Sequence, residues 1–229
     1  MGRIRRQTAA GRERQAMEAA TVRGDRGDIT RREAAPAPPA APVTANPAPL
    51  GLAAFALTTF VLSMFNAGLV SSSAEPVVFG LALAYGGLAQ LLAGMWEFRT
   101  GNTFGATAFT SYGAFWLSFW AFVAFFEKDI PKADAGHAVG LYLIAWGIFT
   151  AYMFVASLRT SVAVAVVFFL LAVTFIVLGI GNSGGTTGIV KLGGWIGLAT
   201  AVAAWYASFA EVTNATFGRT VLPTRPLAR

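Results

Sequence analysis

The chain has no cysteine and one histidine, His137, which falls in a polar loop. Without cysteine there are no disulfides, thiol nucleophiles or thiolate-held metals. Without a histidine in the apolar stretches there is no intramembrane serine–histidine pair, and a metalloenzyme lacks ligands. No cofactor and no metal are expected, and the chain is not read as an enzyme. Charge is also scarce: only 12% of residues are Asp, Glu, Lys or Arg, against about 25% in an ordinary soluble domain. A basic pI near 10.2 could suggest nucleic acid, but the basic residues form no patch, so no nucleic-acid partner is expected. Hydrocarbon fills the space instead. Hydrophobic residues make up 55% of the chain and mean hydropathy is +0.59, so lipid is its solvent.

Residues 1–45 are rich in Arg, Ala and Pro, with "APAPPAAP" at 35–42, and are expected to form a disordered tail. They lack the apolar run of a secretory signal. From Leu50 six apolar stretches follow, approximately 50–71, 76–96, 103–126, 138–158, 161–181 and 192–212. Each approaches the roughly 20 residues a helix needs to cross a bilayer. The expected fold is therefore an all-α membrane protein: a six-helix transmembrane domain over 46–223, with a short C-terminal tail at 224–229. Fourteen of the seventeen Lys and Arg fall on one side of these crossings, nine of them in the first 32 residues. The positive-inside rule then puts both termini in the cytoplasm of a plasma-membrane protein. Small residues four apart, Gly80 and Ala84, Gly136 and Gly140, Gly193 and Gly197, suit close helix packing in lipid.

Polar residues in the crossings are grouped by face. Thr103, Thr107, Thr110, Ser111 and Ser118 of "GNTFGATAFTSYGAFWLS" share about 100° of one helical face. Thr59, Ser63 and Asn66 share a face with Phe55 in the first crossing; Thr200, Ser208 and Glu211 align in the last, and Gln90 and Glu97 in the second. Lipid cannot satisfy such faces, so they should meet inside the bundle. No Lys or Arg lies within a crossing. Hydroxyls, amides and helix N-termini bind a solute weakly enough to release it, which favours passage over capture.

Ahead of the first crossing stands "NPAPLGL", residues 46–52. Asparagine is a possible cap here, and proline in the first turn needs no amide. The start of such a helix attracts carboxylates. This motif is followed in order by "YGGLAQ" at 85–90, Glu97, "GNTFGATAFTSYGAFW", "GLYLIAWGIFT" at 140–150, "GWIGL" at 194–198 and "FGRTVLP" at 217–223. The set closely resembles the acetate uptake transporters and covers about 46–223.

The resemblance implies a six-helix protomer in a homohexamer, each protomer with its own path for acetate and, less well, succinate. It also implies an apolar constriction of Phe55, Tyr112 and Leu171. Around this ring the candidate solute-binding residues are Asn46, Pro47, Leu50, Gly51, Thr59, Asn102, Thr103 and Thr107. Tyr112 lies opposite the hydroxyl stripe on a straight helix, so either the helix breaks at Gly105 or Gly113, the preferred reading, or the stripe lines a protomer–protomer contact and only Tyr112 faces the path. Glu97 and Glu211 are the candidates for carrying a proton. An apolar ring penalises bare charge, so flux should rise as external pH falls. The competing readings are a passive channel for another small solute, and a non-transporting scaffold or sensor that uses these faces only for packing.

Overall fold

The computed structural model describes residues 10–21 and 44–227. The chain divides into two units, 1–43 and 44–229. In the first unit the stretch 10–21, expected to lack regular structure, is a helix with every residue exposed. Its sequence "AGRERQAMEAAT" is dominated by strong helix formers. The rest of the expected tail, 1–9 and 22–43, lies outside the described residues, as do 228–229.

The second unit holds six helices long and apolar enough to cross a membrane: α1 Ala48–Asn66, α2 Val77–Thr100, α3 Thr103–Asp129, α4 Lys132–Ser157, α5 Val162–Ser183 and α6 Thr187–Phe217. The fold is all-α; the β-type pairing among the described residues is a single bridge, Ser161 with Pro226. We call the end where α1 begins and α6 finishes basal, and the opposite end apical. Three boundaries depart from the hydropathy reading. α1 stops at Asn66 because Gly68, at φ +74°, turns the chain. The polar loop expected around His137 is not one: α3 ends in a turn at Glu127–Asp129, Pro131 precedes the next helix, and α4 starts at Lys132, so His137 is helical. α6, with 31 residues, extends past the hydrocarbon, which needs only about 20, and so includes both Lys191 and Glu211.

α1 packs between α2 and α6, α5 packs between α4 and α6, and α2 lies along α3. Lipid gives no hydrophobic drive for these contacts, so close backbone approach supplies them. A Cβ on Gly193 would stand 2.6 Å from the Leu178 side chain, and one on Gly140 would meet Ser183 and the Gly179 carbonyl. Gly197 abuts Ser63 of α1 and Thr174 of α5. Gly80 faces open space, so that member of the small-residue series is not a packing point. Thr58, Thr174 and Thr200 donate to the carbonyls of Ala54, Leu170 and Ile196, each four residues back, as membrane threonines do.

The "FGRTVLP" segment closes the basal end. Gly218, at φ +63°, ends α6, and Asn214 Oδ1 accepts from the amides of Val221 and Leu222. Tyr206 Oη donates to the Pro223 carbonyl at 2.7 Å. The strand-like end then pairs with the start of α5, Val162 N donating to Arg225 O.

Candidate functional site

α3 is an unbroken α-helix from Thr103 to Ala121 and loosens into a π-turn only at Phe122–Phe126. The break expected at Gly105 or Gly113 does not occur. Both glycines instead let α2 approach: a Cβ on Gly105 would stand 2.7 Å from Glu97 Cδ, and one on Gly113 2.6 Å from Leu91 N. A straight α3 separates the two things its sequence carries. Tyr112 points into the bundle and is 3% exposed. The hydroxyl stripe does not share that direction: Thr103 is exposed, Thr107 and Ser111 are half-buried, Thr110 packs against Gly94 of α2, and Ser118 bonds Tyr142 Oη at 2.7 Å.

Tyr112 is the centre of an aromatic seal. Its ring centroid lies 6.0 Å from Phe55, 5.4 Å from Phe149, 6.1 Å from Trp146 and 6.0 Å from Phe168. Phe55, Tyr112 and Leu171, contributed by α1, α3 and α5, belong to one buried cluster and are each no more than 5% exposed. Tyr112 Oη donates to Thr150 Oγ1 at 3.0 Å, and Thr150 Oγ1 donates to the Trp146 carbonyl at 2.7 Å. Sequence reasoning missed α4's share of the seal. Its signal was there as Tyr142, Trp146 and Phe149, spaced for one helical face; Phe168, Leu171 and Phe175 repeat that spacing on α5.

A cavity flanks the seal on each side. The apical one, about 640 Å³, is lined by Asn66, Glu75, Phe115, Glu127, Tyr142 and Asn182, among others. The basal one, about 270 Å³, has Asn102, Phe104, Phe109, Ser161, Phe168 and Glu211 in its walls. Neither lining includes Lys, Arg or His. Burial, and then the nearby charge of Glu127, push the Glu75 carboxyl above the usual carboxylate range. A larger hollow of about 850 Å³ lies between α5 and α6, walled by Val166, Trp195, Val202 and Tyr206. It is apolar and open, and its walls share no residue with the aromatic seal.

The remaining candidates are distributed as follows. Asn46 is not the N-cap of α1; Pro47, buried, stands there. Asn46 Oδ1 instead accepts from Ala48 N at 3.0 Å while its Nδ2 donates to Glu211 Oε2 at 2.8 Å. Asn102 caps α3, its Oδ1 accepting from Gly105 N at 3.0 Å. Gly51 is buried where a Cβ would meet the ring of Phe109. Leu50 is 45% exposed, on the outside. Thr103 and Thr107 line neither cavity. Thr59 is buried with Oγ1 unpartnered. Glu97 is 1% exposed; Oε2 accepts from Thr100 Oγ1 at 3.1 Å and Oε1 has no partner. Glu97 and Asn102 both stand beside the position a Gly105 Cβ would take, Gly105, Asn102 and Glu211 share the basal cavity wall, and Asn46 bonds Glu211, so the basal end gathers two carboxylates and two asparagines.

A sequence model described as the GPR1/FUN34/yaaH family matches residues 30–229. The chain is 47% identical over 176 residues to the Saccharomyces cerevisiae ammonia transport outward protein 2, covering 74% of this chain and 62% of that one. It therefore spans less than two thirds of the yeast relative's length. It is 44% identical over 179 residues to the Escherichia coli succinate-acetate/proton symporter SatP, covering 78% of this chain and 94% of that one. A solved structure of the bacterial acetate channel SatP superposes with a TM-score of 0.75 at 43% identity, over 80% of this chain and 99% of that one.

Proposed function

The chain belongs to the GPR1/FUN34/yaaH family, and we propose on that footing that it moves acetate and other short monocarboxylates, with succinate a poorer solute, across the plasma membrane. The observation that carries this is the closed ring of Phe55, Tyr112 and Leu171 with a cavity on either flank. The two cavities admit a hydrated solute, and the ring passes only what is narrow and has shed its water. Desolvating a bare carboxylate is costly, and the cavity linings hold carboxylates rather than cations. The solute therefore crosses with its charge neutralised, and flux rises as pH falls on the uptake side. Glu97 and Glu211 are the groups that take up the accompanying proton. Asn46 and Asn102, at the starts of α1 and α3, meet the solute at the basal end.

The exposed hydroxyl face of α3 bears on assembly. Lipid offers no hydrogen bonds to Thr103, Thr107 and Ser111, so a neighbouring protomer covers them in a homohexamer. By the count of Lys and Arg along the sequence, fourteen of seventeen fall in the tails and loops on one side of the crossings, and the positive-inside rule assigns both termini to the cytoplasm.

Radiolabelled acetate uptake by the purified protein in liposomes, with pH clamped on both sides, tests the reading. Uptake above empty liposomes, inhibited by formate and lactate and less so by succinate, is expected. Uptake no greater than that of empty liposomes would leave a scaffold or sensor as the better description.

A further inference from the structure

α6 builds the long wall of the 850 Å³ hollow it forms with α5. Trp195, Ala199, Val202 and Tyr206 all line it at spacings of three and four, so they share one helical face. Tyr206 follows Trp195 by eleven positions, a climb of ~16 Å at about 1.5 Å per residue. The hydrocarbon core is about 30 Å thick, so a single leaflet takes up ~15 Å of it. The hollow is as tall as one leaflet.

Its basal end lies at the membrane boundary. α5 begins there at Val162, directly after the polar run Arg159, Thr160 and Ser161. The C-terminal segment crosses at the same level: Val162 N donates to Arg225 O at 2.9 Å, and Tyr206 Oη donates to Pro223 O at 2.7 Å. Tyrosine is enriched at this depth, where its ring meets hydrocarbon and its hydroxyl meets polar groups. The segment places Thr224 and Arg225 in the wall of the hollow. Arg225 sits at φ +52°, a left-handed backbone that a non-glycine residue keeps only where its neighbours impose it. It is the one Lys, Arg, Asp or Glu among the lining residues. Beyond Thr224 and Arg225 the walls are aliphatic and aromatic. A cation at the interface with hydrocarbon from there to the midplane is the complement of a phospholipid, and the sign of the charge selects an anionic headgroup.

We propose that the hollow between α5 and α6 binds one anionic phospholipid, with its phosphate on Arg225 and an acyl chain along α6 as far as Trp195. The lining shares no residue with either cavity flanking the seal, so the site stands apart from the transport reading. In the orientation proposed above it opens to the cytoplasmic leaflet, where anionic lipid gives the surface its negative potential.

Delipidated full-length protein in neutral detergent is titrated with phosphatidylglycerol or with phosphatidylcholine of the same chains, and bound lipid is counted by native mass spectrometry. Phosphatidylglycerol should bind at one per protomer and more tightly than phosphatidylcholine. Arg225→Gln should weaken phosphatidylglycerol about fivefold and leave phosphatidylcholine unchanged. Arg219→Gln, a basal arginine outside the wall, should bind both lipids as the parent does. Val202→Trp should fill the hollow and weaken both lipids; Val202 is 57% exposed, so the larger ring has free space and the fold tolerates it. Equal affinity of the parent for the two lipids overturns the proposal, as does an equal loss in Arg225→Gln and Arg219→Gln. Val202→Trp binding lipid like the parent also overturns it, and a smaller oligomer in that variant would assign the hollow to a neighbouring protomer instead.

Discussion

The phenolic hydroxyl of Tyr112 donates to Thr150 Oγ1 across 3.0 Å in the middle of the bundle, and Thr150 Oγ1 in turn donates a hydrogen bond to the Trp146 carbonyl. The two side chains are unequal partners. Tyr112→Phe removes a donor and leaves Thr150 still bonded, so it should cost only about 1 kcal/mol. Thr150→Val leaves the Tyr112 hydroxyl buried and unpaired, at about 1–3 kcal/mol. Thermal unfolding of the detergent-solubilised protein should therefore rank Thr150→Val below Tyr112→Phe. The reverse order would mean that the hydroxyl finds water in the seal.

Leu171 supplies the aliphatic side of the ring and is 3% exposed. Leu171→Ala removes three carbons from the proposed constriction. Competition assays should then show propionate and lactate gaining on acetate, at a stability cost of about 2–5 kcal/mol. Unaltered size preference would move the constriction elsewhere.

Two glycines of α2 should respond in opposite ways. A Cβ on Gly94 would strike the backbone of Thr110, while one on Gly80 meets nothing within 4 Å. Gly94→Ala should wedge α2 from α3 and lower both melting temperature and yield. Gly80→Ala should be neutral, or stabilising by up to about 1 kcal/mol through helix propensity.

Glu75 lies outside the spans, half-buried in the apical cavity, with its carboxyl titrating above the usual range because of burial and then Glu127. A carboxyl raised in the folded state stabilises below its unfolded pKa, and that contribution is lost as pH rises through the folded value. Glu75→Gln should accordingly melt close to the parent in acid and above it near neutral pH. Melting curves from pH 4 to 8 check the sign; a variant less stable than the parent at pH 7 would contradict it.

Asn46 and Glu211 join the start of α1 to the end of α6 through a 2.8 Å hydrogen bond. Bonds to charged groups contribute about 1.5–3 kcal/mol. In a double-mutant cycle, Asn46→Ala with Glu211→Gln should destabilise by less than the two single changes added together. Strict additivity would show the contact to be incidental.

Much of this was legible in one dimension. Six apolar stretches, with charge confined near their ends, required six crossings because backbone in lipid must satisfy its own hydrogen bonds. The motif set placed Phe55, Tyr112 and Leu171 as a ring, and the fold brings those three residues into one buried cluster. The hydroxyl stripe misled because a helical wheel shows that residues share a face but not what lies against it. Thr103 and Thr107 were grouped correctly and aimed wrongly. The break expected in α3 was a device for making one face serve two purposes, and a straight helix gives each face its own.

Composition and periodicity alone determined the medium, the number of crossings and which residues stay together on each helix, since these follow from solvation and from the helical repeat. Only the tertiary structure decided which way each face turns, that α4 completes the seal with Trp146 and Phe149, and that Asn46 reaches Glu211 165 positions away. Those outcomes depend on which glycines let which backbones touch. Such contacts join residues far apart in the chain, and they leave no period in it.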